Sequence, residues 1–322
     1  MKSFVVTGGA GFLGRHICCE LLKSEENVVY CIDSVVTGSM NNIQSFLSSS
    51  RFHFIEYNIN GGFDAMASDG TLPSDIYAIY HLACIASPPT YKKYALDTLN
   101  TSYIGTRNVL DLALRTKAKV LFTSTSEVYG DPLVHPQPEE YFGNVNTVGE
   151  RSCYDEGKRA AETLMYEYRR AYKLDLKIVR IFNTYGPYMD IDDGRVITNF
   201  IKQIREDKPL VIYGDGNQGR SFCYVDDMID GFIKMMNSKS EISGPINLGN
   251  PNEFTILELA EKVIALIGGK SKIVFKDLPI DDPKMRQPDI TIAKNLLDWH
   301  PQISLDHGLD LTTQYFKKLL TS

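Results

Sequence analysis

The sequence predicts an α/β protein, a doubly wound parallel sheet covered by helices, joined to a smaller, discontinuous α/β lobe. Three observations predict it. Short β-branched runs alternate with longer stretches of helical periodicity. A glycine-rich turn joins the first run to the first helix. After Pro187 the rhythm changes to shorter elements punctuated by glycine and proline.

The strand candidates are 3–7, 28–33, 52–56, 76–82, 119–124 and 176–182, with helical periodicity at 12–23, 94–116 and 154–172. Strands separated by helices of that length pair in parallel and are buried on both faces. Beyond Pro187 the expected order is helix 195–206, strand 210–213, helix 226–237, strand 245–248, helix 255–267, a strand near 272–276, and helices near 290–297 and 305–320. Gly186-Pro187, Gly244-Pro245 and Gly249-Asn250-Pro251 mark crossings between lobes. Residues 1–186 are therefore expected to form the first domain, with 210–250 contributing in part, and 187–322 mainly the second lobe.

A chain of 322 residues with 43% hydrophobic and 23% charged residues is neither disordered nor fibrous. The net charge of −6 provides no broad positive surface, which argues against nucleic acid or an anionic membrane as partner. An anionic ligand must be gripped by a few placed cations. No apolar run reaches the roughly eighteen residues of a membrane span, and strand 3–7 begins too early to leave room for a leader. The six cysteines include no Cys-x-x-Cys, and no histidine pair has zinc spacing. Reduced thiols, no metal and a cytoplasmic location are expected.

Strand 3–7 runs into Thr7-Gly8-Gly9-Ala10-Gly11-Phe12-Leu13-Gly14. Glycines at such a turn let a pyrophosphate approach the backbone, and the helix that follows presents free N–H groups to it. Asp33 ends the second strand nineteen residues after Gly14, where a carboxylate accepts hydrogen bonds from an adenosine ribose. No arginine or lysine lies between Asp33 and Arg51, so NAD is favoured over NADP. These features specify a Rossmann dinucleotide site.

Tyr154 and Lys158 stand four apart at the start of a helical pattern and share a face. An ammonium beside a phenol is expected to lower the phenol's pKa and make it a usable base. Thr123-Ser124-Thr125-Ser126-Glu127-Val128-Tyr129-Gly130 closes a buried strand with hydroxyls and a carboxylate, at the sheet edge where ligands bind in this architecture. His81 is expected to bond a neighbouring loop, and Asp226-Asp227 to cap a helix.

With TGGAGFLG, TSEVYGDP, YDEGKR, RIFNTYGP and DDGRVITNF in hand, the chain resembles the extended short-chain dehydrogenase/reductases that act on nucleotide sugars. It is similar above all to the UDP-glucuronic acid decarboxylase, or UDP-xylose synthase, family. The resemblance implies NAD, with contacts at Gly8, Gly11, Phe12, Leu13, Gly14, Asp33, Asn58, Ile59, Leu82, Tyr154 and Lys158. It implies that Tyr154 takes the sugar 4-hydroxyl proton while Lys158 holds the nicotinamide ribose. The 4-ketone is β to the carboxylate on carbon 5, so carbon dioxide is lost easily and the ketone is then reduced again. Glu127 is implied in proton handling near carbon 5, with Ser126 and Thr125 orienting the sugar. Related 4,6-dehydratases carry an Asp-Glu pair where Ser126-Glu127 stand, which favours decarboxylation over elimination. Release of UDP-4-keto-pentose, and a nucleotide-sugar 4-epimerase or 4,6-dehydratase, remain the alternatives.

Asn183, Arg195, Asn199, Tyr213, Gln218, Arg220 and Arg286 are the candidate UDP-sugar ligands, Arg220 for phosphate and Arg286 for phosphate or sugar. The stripes at 94–116 and 154–172 imply a homodimer seam. Departures from the family pattern are Tyr188 for an arginine, expected to alter the grip on the glucuronate carboxylate, Cys84-Ile85 for Ser-Pro, and Asn58 for an aspartate.

Overall fold

Alternating apolar runs and amphipathic helices give one seven-stranded parallel sheet in the computed structural model, which describes residues 1–268, 271–277 and 285–319. In chain order the elements are β1 (Lys2–Thr7), α1 (Phe12–Leu22), β2 (Asn27–Asp33), α2 (Met40–Ile43), β3 (Phe52–Glu56), α3 (Asp64–Ser68), β4 (Ala78–His81), α4 (Pro88–Lys93), α5 (Ala95–Asn100), α6 (Thr106–Thr116), β5 (Lys119–Thr125), α7 (Ser152–Tyr172) and β6 (Leu176–Ile181). They continue with β7 (Thr184–Tyr185), α8 (Val196–Arg205), β8 (Leu210–Tyr213), β9 (Gly219–Ser221), β10 (Cys223–Tyr224), α9 (Val225–Asn237), β11 (Ile246–Leu248), β12 (Glu253–Thr255), α10 (Ile256–Ile267), β13 (Ile273–Lys276), α11 (Thr291–Leu297) and α12 (Leu305–Leu319). Position 320, the expected end of the last helix, lies outside the described residues.

The sheet order is β11-β6-β5-β4-β1-β2-β3, so the chain starts in the middle and winds outward both ways. The break in that order lies between β1 and β4, where a crevice opens at the carboxyl ends of the strands. Successive side chains of β1 enter opposite layers: Val6 belongs to the buried cluster that holds Ile17 of α1 and Phe232 of α9, Val5 to the one that holds Val109 of α6 and Met165 of α7. Three two-stranded sheets, β7 with β10, β9 with β12 and β8 with β13, build the remainder around α8 and α10. No helix among the described residues is long and apolar enough to cross a membrane, and no group of side chains there could hold a metal ion.

The expected helix 94–116 forms as α5 and α6 joined through a π turn at Thr101–Gly105. The wider turn fits what lies beneath it. A Cβ on Gly105 would meet Ile59 Cδ1 at 2.6 Å, and Thr106 Oγ1 bonds His81 Nε2 at 2.9 Å. His81 thus bonds α6 and, through Thr7 Oγ1 at 2.8 Å, β1, where a loop partner was expected. Burial lowers its pKa to about 3 and keeps it neutral. The helix α4, opened by Pro88-Pro89, and the two- and three-residue strands are too short to carry a periodicity signal.

Asp227 is not the cap of α9, whose N-cap is Tyr224. Its buried carboxylate instead accepts hydrogen bonds from Gln302 N at 3.0 Å and Ile303 N at 2.9 Å, while its own carbonyl accepts one from the indole of fully buried Trp299 at 2.9 Å. The turn before α12 is pinned to α9 in this way. Asp227→Ala strands two amide donors and should cost about 3 kcal/mol, lowering the thermal midpoint while NAD titration stays unchanged.

Candidate active site

Glycine geometry shapes the cofactor end. Gly8 has φ +74°, and a Cβ there would lie 2.7 Å from the Ala83 amide; one on Gly14 would lie 2.0 Å from the Gly8 carbonyl. The turn is therefore as tight as backbone allows, and α1 starts beyond it with no side chain capping its first amides, which suits a diphosphate. Asp33 accepts bonds from Ala10 N at 3.0 Å and Val35 N at 2.8 Å, fastening the end of β2 to the turn. Burial pushes its pKa up and these amides pull it back. Asn58 Oδ1 accepts from Asn60 N at 3.0 Å, which caps a short turn and leaves its amide NH2 as the donor. The glycine cradle and the carboxylate at the end of β2 together fit a dinucleotide.

A cavity of about 1060 Å³ extends from this cradle, and every candidate residue named from the sequence lines it. Gly11, Phe12, Leu13, Ile59 and Leu82 lie at the cofactor end, and Thr125, Ser126, Glu127, Tyr154 and Lys158 along the middle. Tyr154 is buried and stacked on Tyr91, with ring centroids 5.3 Å apart and planes 3° apart.

One expectation is overturned here. The Tyr154 pKa is raised, not lowered: the Lys158 ammonium donates to the Thr123 carbonyl at 2.8 Å and sits 6.0 Å from the Tyr154 ring centroid. Burial dominates both groups, raising the phenol, an effect the nearby Cys84 thiol reinforces, and lowering the ammonium. A hydrogen bond with Thr125 and the charge of Arg195 act in the opposite direction on Tyr154. The resting group is a phenol.

Glu127 is clamped between two arginines. Arg286 donates through Nη1 to Glu127 Oε1 at 3.0 Å and Ser126 Oγ at 3.1 Å, and through Nη2 to the Gly130 carbonyl at 3.1 Å; Arg151 pairs with the other Glu127 oxygen. Burial raises the Glu127 pKa, but the arginines outweigh it and hold it down to about 2. Arg286 thus holds the Ser126-Glu127 end of the cleft.

At the far end, Arg195 precedes α8, donating to the Ala86 carbonyl at 3.3 Å, with Asn199 donating to Gly194 O at 2.9 Å. Gln218 donates to Tyr213 O at 2.6 Å, holding the turn on which the half-exposed Tyr213 ring sits. Arg220 lies beside Arg286 through a backbone bridge, and the backbone of Asn183 accepts from Cys223 N at 2.8 Å. Tyr188 lines the same cavity; with φ +68° it packs under Arg15, whose guanidinium is 3.8 Å from its ring, and against Tyr315. Cys84 Sγ lies 3.4 Å from Ser102 Oγ, and Ile85 packs on Tyr91 and Tyr154.

Sequence reasoning missed Arg151, Asp155, Tyr91 and Arg15. Arg151 and Asp155 flank Tyr154 and look like ordinary helix-start charges; a basic residue three before the tyrosine was the one available signal.

Residues 4–249 match the NAD dependent epimerase/dehydratase family. UDP-glucuronic acid decarboxylase 5 of Arabidopsis thaliana is 48% identical over 313 residues, 97% of this chain and 89% of that protein. UDP-glucuronic acid decarboxylase 1 of Danio rerio is 44% identical over 319 residues, 99% of this chain and 73% of that protein. Among solved structures, UDP-glucuronic acid 4-epimerase from Bacillus cereus, in complex with UDP-glucuronic acid and NAD, superposes with a TM-score of 0.88 at 32% identity, covering 98% of this chain and 99% of that one. The glycine cradle and these likenesses agree on NAD as the cofactor, and the chain belongs to the NAD dependent epimerase/dehydratase family, with UDP-glucuronic acid decarboxylases as near-full-length relatives.

Proposed function

We propose that the protein converts UDP-glucuronic acid to UDP-xylose. The observation that carries this reading is the joining of Tyr154 and Lys158 with the Ser126-Glu127-Arg286 group in the cleft that begins at the glycine turn. The relatives that match nearly the whole chain support the same reaction. NAD, when bound, accepts the carbon 4 hydride and later returns it.

Tyr154 takes the 4-hydroxyl proton as oxidation proceeds and returns it to the same oxygen at the end. The form that accepts it is the phenolate, which burial disfavours and which the hydrogen bond with Thr125 and the charge of Arg195 favour. Ser126 is neutral, so it does not repel a carboxylate, and Arg286 beside it favours one. Once carbon 4 is a ketone, the carbon 5 carboxylate lies β to it, and the carbon–carbon electron pair is received by the carbonyl. Thr125, which accepts from Glu127 N at 3.2 Å, keeps the carboxylate and the tyrosine in register. Arg220, Asn183, Arg195, Asn199, Gln218 and Tyr213 hold the uridine diphosphate, and Asp33, Asn58, Ile59 and Leu82 the adenosine end of NAD.

Residues 1–186, with part of 210–250, serve as the NAD-binding domain, and 187–322 mainly as the sugar-nucleotide lobe. The ligand is a small nucleotide sugar rather than nucleic acid, consistent with the net charge of −6. Six free thiols suit the cytoplasm. A homodimer is proposed through the α5 face. There Leu96 is 78% exposed, and Leu99, Tyr103 and Ile104 are exposed beside it, an apolar strip suited to a second copy of itself.

Incubation with UDP-glucuronic acid and NAD, followed by mass and proton NMR of the products, should give carbon dioxide and UDP-xylose. A free 4-keto pentose would show an uncoupled last reduction, and an unchanged mass with inverted carbon 4 would make the protein an epimerase. Tyr154→Phe should lose about a thousandfold in rate with NAD affinity retained in a titration. Glu127→Ala leaves Arg151 and Arg286 uncompensated and should slow pentose formation about a hundredfold. By light scattering the native chain should have twice its monomer mass, and Leu96→Glu with Tyr103→Glu should halve it; a native monomer would remove the α5 face as an interface.

A further inference from the structure

Arg286 is buried, and its guanidinium grips Glu127 Oε1 at 3.0 Å, Ser126 Oγ at 3.1 Å and the Gly130 carbonyl at 3.1 Å. A shift of about 1 Å in the backbone that carries it would break these bonds. Yet from Arg286 to Ile290 the chain forms neither helix nor strand, and Arg286 meets β9 only through a single bridge to Arg220. Its placement must come from side chains.

Gln137, between β5 and α7, is fully buried, and its Oε1 accepts from Gln287 N at 2.9 Å. Its backbone runs alongside the same segment: Gln137 N donates to Gln287 O at 2.9 Å, and Gln137 O accepts from Asp289 N at 3.0 Å. The other half of the peptide after Arg286 is held too, because Arg286 O accepts from the buried Ser221 Oγ of β9 at 3.3 Å. The amide between Arg286 and Gln287 is thus pinned at its oxygen by one side chain and at its nitrogen by another. Since that amide is planar, the two bonds together fix the direction in which the Arg286 side chain leaves the backbone. Gln137 is itself anchored. Its Nε2 donates to Val134 O at 2.8 Å, and its carbonyl also accepts from Asn247 Nδ2 at 3.0 Å, while Asn247 Oδ1 accepts from the Tyr129 hydroxyl at 2.8 Å. The clasp therefore closes on the strand end that Arg286 grips.

We propose that Gln137 is a positioning residue: it holds the Arg286 guanidinium where a substrate carboxylate is recognised, and so sets the preference for a glucuronate over a neutral hexose. Arg286 lines the cleft, and its Nε has no hydrogen-bond partner among the described residues, which leaves a donor for a ligand there. Neither Gln137 nor Ser221 lines the cavity, so both act through Arg286. An apolar side chain of the same shape would fill the space that Gln137 fills, but it would leave the Gln287 amide buried without an acceptor. The proposal rests on the reading of UDP-glucuronic acid as substrate.

The test compares the dissociation constants of UDP-glucuronic acid and UDP-glucose for NAD-loaded protein, in a Tyr154→Phe background so that neither is turned over. The parent should bind UDP-glucuronic acid the more tightly. Gln137→Met keeps the length of the side chain and removes its hydrogen bonds, so it should weaken UDP-glucuronic acid about tenfold and leave UDP-glucose within about twofold. A general loosening of the fold would weaken both ligands alike. Ser221→Ala releases the other end of the same amide and should shift the ratio in the same direction. In Arg286→Met the preference should already be lost, and adding Gln137→Met should change it no further. A parental ratio in Gln137→Met, equal weakening of the two ligands, or a further loss on top of Arg286→Met overturns the proposal. Should Gln137→Met not fold, a parental ratio in Ser221→Ala overturns it instead. UDP-glucose bound by the parent as tightly as UDP-glucuronic acid is the separate failure of the glucuronate reading, with which the proposal also falls.

Discussion

The site depends on one buried carboxylate held between two guanidinium groups. Glu127 stands at the end of β5, Arg151 just before α7, and Arg286 on the segment leading to α11, three stretches far apart in the chain. A buried charge without partners costs several kcal/mol, so none of the three can be in place unless the others are. Their meeting also fixes where the second half of the chain lies over the sheet. Arg286 reaches Ser126 and the Gly130 carbonyl in the same grip, which extends the constraint from an ion pair to the whole strand end.

That constraint bears directly on chemistry. An ionised Glu127 beside Arg286 shares its cleft with Tyr154, which is stacked on Tyr91. Burial keeps the phenol protonated and Asp155 protonated while Glu127 is ionised. Three oxygen acids in one neighbourhood are thus separated in protonation state by environment alone. Placed cations, Lys158, Arg195, Arg220 and Arg286, line a cleft in a chain whose net charge is −6, as an anionic substrate requires.

What the sequence made legible was what is local in it. The glycine turn, Asp33 at the end of the second strand, and the Tyr154–Lys158 spacing each lie within one element or one turn, and the structure places all of them on the same cleft. What it concealed depends on distant partners. Arg151 gains meaning from Glu127, twenty-four positions away, and Arg286 from a contact across 159 positions. Nothing local shows that Arg15, on the first helix, stacks on Tyr188. The effect of Lys158 on Tyr154 was misjudged for a different reason: spacing gives proximity along a helix face, but burial, which spacing does not report, outweighs a charge whose hydrogen bonds go elsewhere.

The central claim is that a transient ketone drives the loss of carbon dioxide and that the same hydride returns. The most direct measurement follows deuterium placed at carbon 4 of UDP-glucuronic acid into the product by proton NMR. Full retention at carbon 4 of UDP-xylose is the result expected of a cofactor that never leaves. Deuterium washed into solvent or recovered in free NADH, with pentose still formed, would contradict the account.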